Sequence, residues 1–342
     1  MRIALDAMGS DNCPVPDVAG GVLAARELNN TILLVGDENI IKTELSKHNT
    51  AGLSVEIVPA QQIVTMTDKP SAVGKSKPQS SMHIGMNLVK DGLADAFVTM
   101  GNTGAAHAIA TLYTLRRIPG VKRPALSGIY PVGRGYIILL DLGANADSKP
   151  DWLAQFAIMG KIYAQNALGL ESPRIALLSN GEEEGKGNQL IKDAGELIQN
   201  LPLNFVGNVE PKEIMQGKVD VIVADGFVGN IFVKTFEASA SYISYLIRDE
   251  LKQNVFSMLG ALLARPAFQR VRKRTDTFEV GGAPLLGVNG VVIIGHGRSN
   301  AIAVKNAVRQ AGLAVKGRII DSIREGLQYI PDLTNRDEQE KE

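Results

Sequence analysis

Six short turns concentrate the residues of this sequence that could do chemistry: 6–12, 101–104, 141–145, 180–187, 225–230 and 295–300. Each is rich in Gly, Asn or Asp and follows a short apolar run. In 101–104, Gly101 and Gly104 let the backbone approach a ligand closely, and Asn102 and Thr103 add short polar side chains where a helix should begin. Unpaired N–H groups of a first helical turn favour an anion, so this turn suits phosphate. Helix capping by Asn102 or Thr103 is the alternative. The turn 295–300 repeats the arrangement around His296, which could hydrogen-bond a phosphate or protonate a leaving group. In 180–187, Lys186 between two glycines could carry an ammonium to an anion. The neighbouring Glu182, Glu183 and Glu184 could equally be a solvated charge run at a helix start.

Other chemistries find less support. Asp6, Asp11, Asp141 and Asp225 follow apolar runs, but such residues more often bond to their own turns than to Mg²⁺, and no metal or cofactor is expected. The four histidines show no metal-ligand spacing; His83 and His107 fall inside helical patterns and His48 in a loop. Cys13, the single cysteine, precedes Pro14 without a basic activator, and one cysteine excludes an intramolecular disulfide. Lys+Arg and Asp+Glu balance at 36 each, which argues against a nucleic-acid partner.

The elements that must position these turns read as an α/β layered fold. Apolar runs at 3–5, 32–35, 55–58, 96–99, 136–140, 175–178, 219–224 and 291–294 do not alternate with polar residues, as expected of strands buried on both faces. Helical patterns lie between them at 17–28, 80–90, 103–115, 151–168, 188–199 and 300–311. Ser148 three residues before Asp151, with Pro150 between, reads as a helix start. In a fully parallel sheet all six turns would share the carboxyl edge, where ligands bind. Residues 1–331 read as one catalytic domain, and 332–342 as a charged, disordered tail. The segment 239–275 stands apart. Ile243, Leu246, Ile247, Leu251, Val255, Met258, Leu259, Leu262 and Leu263 recur at helical spacing until Pro266 breaks the pattern, and Arg265, Arg270, Arg272, Lys273 and Arg274 flank it. Such a stripe fits an oligomer interface or an interfacial membrane helix. No apolar run is long enough to span a bilayer, and the N-terminus lacks a secretory pattern, so the expected location is cytoplasmic.

The turns, taken in order, resemble the acyl-acyl carrier protein:phosphate acyltransferase family of bacterial phospholipid synthesis. The matching pieces are 6–11 with Pro14, 101–105, 141–145, 178–184 with Lys186 and Gly187, 225–230, 281–287 and 295–299. Ser10 stands where the family usually has Gly, and Cys13 where it usually has Ala.

The resemblance implies transfer of a fatty acyl group from the thioester of acyl carrier protein to inorganic phosphate. It implies a homodimer with a three-layer α/β/α sandwich and mostly parallel sheet, similar to isocitrate and isopropylmalate dehydrogenases and phosphate acetyltransferases. It also implies peripheral association with the inner face of the cell membrane, with acyl phosphate passing to a membrane glycerol-3-phosphate acyltransferase. Phosphate is already an anionic nucleophile, so the protein need only position it, stabilise an oxyanion and release a thiolate. Gly101, Asn102, Thr103, Gly104, Asp225 and Ser299 are then expected at the substrate. Lys186 is expected to neutralise phosphate, and Asn180, Asn230 or His296 to stabilise the oxyanion or departing sulfur. Leu259, Leu262, Arg272 and Lys273 are expected at an anionic membrane. Acidic carriers would suit Arg116, Arg117, Lys122 and Arg123, which a solvated basic face also explains. Two rivals are a nicotinamide-dependent dehydrogenase, for which no dinucleotide fingerprint is found, and a non-catalytic anion-binding protein.

Overall fold

The computed structural model describes residues 1–132, 135–275 and 277–327, with backbone alone for 272–275 and 277. The tail 332–342, the end of the expected domain at 328–331, and the side chains of Arg272 and Lys273 lie outside the described residues.

Eleven strands form one sheet: β1 (Arg2–Asp6), β2 (Thr31–Gly36), β3 (Val55–Pro59), β4 (Ala96–Thr99), β5 (Ala125–Val132), β6 (Gly135–Leu140), β7 (Ile175–Leu178), β8 (Phe205–Val209), β9 (Val221–Val223), β10 (Ala283–Leu286) and β11 (Val291–Ile294). Their spatial order is β3-β2-β1-β4-β11-β10-β5-β6-β9-β7-β8. The apolar runs are strands because both faces are covered. Ile3 and Leu5 belong to one core cluster and Ala4 to another, so alternate side chains of β1 enter opposite cores. One face carries α1 (Val15–Leu28), α6 (Pro150–Asn166), α7 (Gln189–Gln199), α11 (Ala301–Lys316) and α12 (Ile319–Leu327). The other carries α3 (Pro70–Ser76), α4 (Ser81–Lys90), α5 (Thr103–Ala108) with its π-helical continuation Ile109–Tyr113, α8 (Pro211–Met215) and the start of α9 (Gly226–Glu250). Helices α2 (Glu38–Leu45) and α10 (Val255–Thr275) complete the chain order. The result is the expected three-layer α/β/α sandwich.

The sheet is not wholly parallel, and this corrects the expectation of a single edge. Three pairings are antiparallel: β11 with β10, β10 with β5, and β5 with β6. An odd number of reversals makes β6, β9, β7 and β8 run opposite to β1, β4 and β11. Register restores part of the expected convergence. Ile294 pairs with Ala283, Leu285 with Leu126, Ser127 with Leu140, and Leu140 with Val223. Followed across the sheet, the last residues of β11, β6 and β9 come within about one residue of a common level. The turns therefore leave from a shared line, in opposite directions.

Two further readings differ from the structure. Helix α6 begins at Pro150, but Lys149 is at its cap and no side chain caps it. Ser148 Oγ instead donates to Asn145 O at 3.4 Å, because Asp141 holds the preceding turn close by. Pro266 does not end α10, which continues to Thr275. The carbonyl deprived of a donor, that of Leu262, belongs to an exposed residue and can be hydrated. Helix α9 outruns the sheet: its residues from 241 to 250 are all exposed.

Candidate active site

The site is built from the carboxyl end of β4. Thr99 Oγ1 donates to the buried carboxylate of Asp6 (Oδ2, 2.7 Å) and accepts from Gly101 N (3.0 Å). Asp6 also accepts from Met8 N at 3.1 Å. Burial raises the Asp6 pKa, and the Ser81, Thr99 and Met8 hydrogen bonds oppose that rise. Gly9 passes directly over this pair. A Cβ there would fall 2.9 Å from both Asp6 Oδ2 and Thr99 Oγ1, so no larger residue fits. The turn that opens α5 is thereby fixed from beneath.

Asn102 caps α5: its Oδ1 accepts from Ala105 N at 3.0 Å. Its Nδ2 donates to the carbonyls of Thr65, Met66 and Asp68, tying the loop 65–68 to the helix start. The capping alternative is thus realised at Asn102, and its amide is already committed.

Above this turn lies a cavity of about 410 Å³. Gly101, Asn102, Thr103 and Gly104 form one wall, and Gly295, His296, Gly297 and Ser299 another. Apolar side chains of Leu126, Ile129, Val280 and Ile294 close its depth. Ser299 Oγ is buried and has no hydrogen-bond partner among the described residues, a polar group that a bound anion would satisfy. His296 Nδ1 accepts from Arg298 N at 3.3 Å, which leaves Nε2 to carry the proton of a neutral ring. Burial first, and the Arg298 charge second, lower the His296 pKa, with Glu237 and Asp11 acting the other way. A neutral imidazole with an Nε2–H is a hydrogen-bond donor suited to developing negative charge.

Two lining residues escaped the sequence reading. Glu237 comes from α9, whose cap at Asp225 lies at the end of β9. Because α9 runs back against its strand, eleven residues, roughly 16 Å, carry it to the cavity. Helical spacing from Asp225 could have signalled this. Tyr130 comes from β5, which Gly128 and Pro131 disguise in the sequence. Burial, then the Glu237 charge, raise the Tyr130 pKa and keep its phenol protonated.

The remaining nominated residues are not among the walls of this cavity. Asp225 caps α9, accepting from Phe227 N (3.0 Å) and Val228 N (2.8 Å). Asn230 donates to Leu142 O at 2.8 Å, two turns before Glu237 on the same helix. Asn180 accepts from Gly187 N at 3.0 Å, closing its own turn. Lys186 is exposed and makes no ion pair among the described residues. Its strand, β7, lies five strand spacings from β11, roughly 24 Å along the sheet. Asp141 accepts from four backbone N–H groups, of Leu126, Gly143, Ala144 and Asn145, and from Asn145 Nδ2. These contacts make it a turn organiser. No group of three or more potential metal-binding side chains occurs among the described residues.

Residues 1–321 match the family model described as fatty acid synthesis protein. The chain belongs to this family. It is 44% identical to a phosphate acyltransferase of Geobacter sulfurreducens over 96% of this chain and 94% of that one. Identity to a phosphate acyltransferase of Dictyoglomus turgidum is 46%, over 97% and 99%. Among solved structures, a phosphotransacetylase from Streptococcus pyogenes superposes with a TM-score of 0.60 at 17% identity, covering 94% of each chain. A branched-chain phosphotransacylase from Enterococcus faecalis gives 0.57 at 16%, over 92% of this chain and 99% of that one. These two likenesses establish the shared fold.

Proposed function

We propose that this chain is an acyltransferase that moves a fatty acyl group from the thioester of acyl carrier protein to inorganic phosphate, for phospholipid synthesis. The observation that carries the reading is the cavity itself. It joins an unsatisfied hydroxyl (Ser299), a neutral imidazole donor (His296) and an apolar depth, in a member of a family whose relatives are named phosphate acyltransferase. A phosphate oxygen attacks the thioester carbon, the C–S bond breaks, and the thiolate takes up a proton to give free carrier. Ser299 and the amides of Asn102 to Gly104 hold the phosphate, Gly101 N being already bonded to Thr99 Oγ1, and His296 Nε2–H stabilises the oxyanion. Positioning supplies roughly 7–11 kcal/mol, and one oxyanion donor about 3–4 kcal/mol. Asn230 supports the turn at Leu142. Asn180 and Lys186 reach the anion from the second subunit of a homodimer, given their distance from the cavity in one chain.

Residues 1–331 act as one catalytic unit in the cytoplasm, attached peripherally to the membrane through α9 and α10. No helix among the described residues is long and apolar enough to cross a bilayer. Leu259 and Leu262, 56% and 63% exposed, support surface insertion instead. There the acyl phosphate passes to a membrane glycerol-3-phosphate acyltransferase. Incubation of palmitoyl-carrier protein with phosphate tests the reading: free carrier thiol and hydroxylamine-trappable acyl phosphate are expected, and thiol release without trapped product refutes it.

A further inference from the structure

A second recess, of about 710 Å³, lies at the far end of the helical run that starts at Thr103. Arg116, Arg117, Lys122, Arg123 and Lys149 frame it, with Trp152 as an apolar wall and Asp151 at its border. None of the five cations is in an ion pair among the described residues. Two are held in place: the Arg123 guanidinium lies 4.9 Å over the Trp152 ring, and Arg117 donates to Lys122 O. Five gathered cations repel one another and form a field that attracts an acidic surface.

One helix joins this recess to the active-site cavity. Thr103 lines the cavity, and Thr111 and Leu112 line the recess. Eight residues separate Thr103 from Thr111, about 12 Å of helix. Thr103, His107 and Thr111 follow at four-residue intervals and share one face. His107 Nε2 and Thr111 Oγ1 are buried and have no hydrogen-bond partner among the described residues. Burial, then the nearby Arg123 charge, lower the His107 pKa, so the ring is neutral. Both polar atoms are shielded from solvent, so what links the two openings is the short helical path between them and not a line of free polar groups.

A phosphopantetheine arm fits a cationic opening joined by a short helix to a second cavity. It has a phosphodiester at its base, two amides along its length and a thiol at its tip. Resting on the acyl-transfer reading above, we infer that the basic recess docks the acidic carrier protein, and that its arm follows the helix from the recess to the cavity to present the thioester at His296.

The test uses the full chain carrying Arg116→Glu, Lys122→Glu and Lys149→Glu, which leaves the Arg117 and Arg123 contacts intact. Acyl phosphate formation is measured with acyl-carrier protein and with the acyl thioester of N-acetylcysteamine, which lacks the phosphodiester and most of the arm. The carrier KM, and the Kd for carrier by fluorescence anisotropy, rise roughly tenfold or more, while turnover of the short thioester is unchanged. Raising salt weakens carrier binding to the unsubstituted chain and has less effect on the variant. The charge-neutral Arg116→Gln, Lys122→Gln, Lys149→Gln chain shows an intermediate loss. Unchanged carrier KM and Kd, or equal loss on both donors, overturns the docking assignment. Absence of acyl phosphate from either donor with the unsubstituted chain overturns the transfer reading instead.

Discussion

Ser10 Oγ donates to Asp17 Oδ2 across only 2.5 Å, with both side chains buried at the start of α1. Asp17 Oδ1 has no partner among the described residues. Burial, opposed by the Ser10 hydrogen bond and reinforced by Asp6, pushes the Asp17 pKa up to about 8. The folded chain thus holds a proton that the unfolded chain releases near the ordinary carboxylate pKa. Stability is full below that value and is lost as pH rises toward about 8, by at most about 1.4 kcal/mol per pH unit. Thermal melts should show Tm falling between pH 5 and 8, and Asp17→Asn should flatten the decline. An identical slope in the variant would assign the pH dependence elsewhere.

Thr99→Val removes the hydroxyl that serves both Asp6 and Gly101 while keeping side-chain volume. Two buried groups lose a partner, so destabilisation of about 2–4 kcal/mol is expected by denaturant titration. The phosphate KM should rise more than kcat falls, because the loop that holds the anion loosens. Thr99→Ser should recover most of both losses.

His296→Ala should lower kcat about 100- to 1000-fold if its Nε2–H faces the oxyanion. Since its pKa lies below the usual histidine value, the rate should not decline between pH 7 and 8. A decline there would mean that the protonated ring is the active form.

Lys186→Ala should raise the phosphate KM strongly. Because Lys186 and His296 are set far apart along the sheet, subunit mixing is the sharper measurement. Mixed and re-equilibrated Lys186→Ala and His296→Ala chains should show more activity at low phosphate than either variant alone. Absence of that gain, with an unchanged KM in the single variant, removes Lys186 from the site.

Leu259→Asp with Leu262→Asp should abolish sedimentation with anionic liposomes and leave activity in solution near normal. Both side chains are exposed, so stability should change little. Continued sedimentation would refute the membrane contact.

The parts of the fold legible in the sequence were those whose period matched their burial. Strands such as β1, β4 and β11 carry unbroken apolar runs because helices cover both faces, and they read directly. Three strands did not. β5 contains Gly128 and Pro131, β8 contains Gly207, and β10 contains Pro284, residues that normally signal turns. Two of these three, β5 and β10, make the antiparallel pairings, so the reversal of direction was hidden together with them. His296 and Ser299 were readable as site candidates from their glycine-rich turn. Glu237 and Tyr130 were not, since each reaches the cavity through an element whose path depends on that reversal.

Helix α9 is one unbroken rod of 25 residues, about 37 Å long. Its foot is anchored at Asp225, its fourth turn faces His296 through Glu237, and its far end stands clear of the body. Rods of this kind tilt more easily than they bend. The wall of the cavity at Glu237 and the exposed end of the helix thus belong to one stiff element, so a lipid contact at that end, as proposed, would be made by the same rod that borders the cavity.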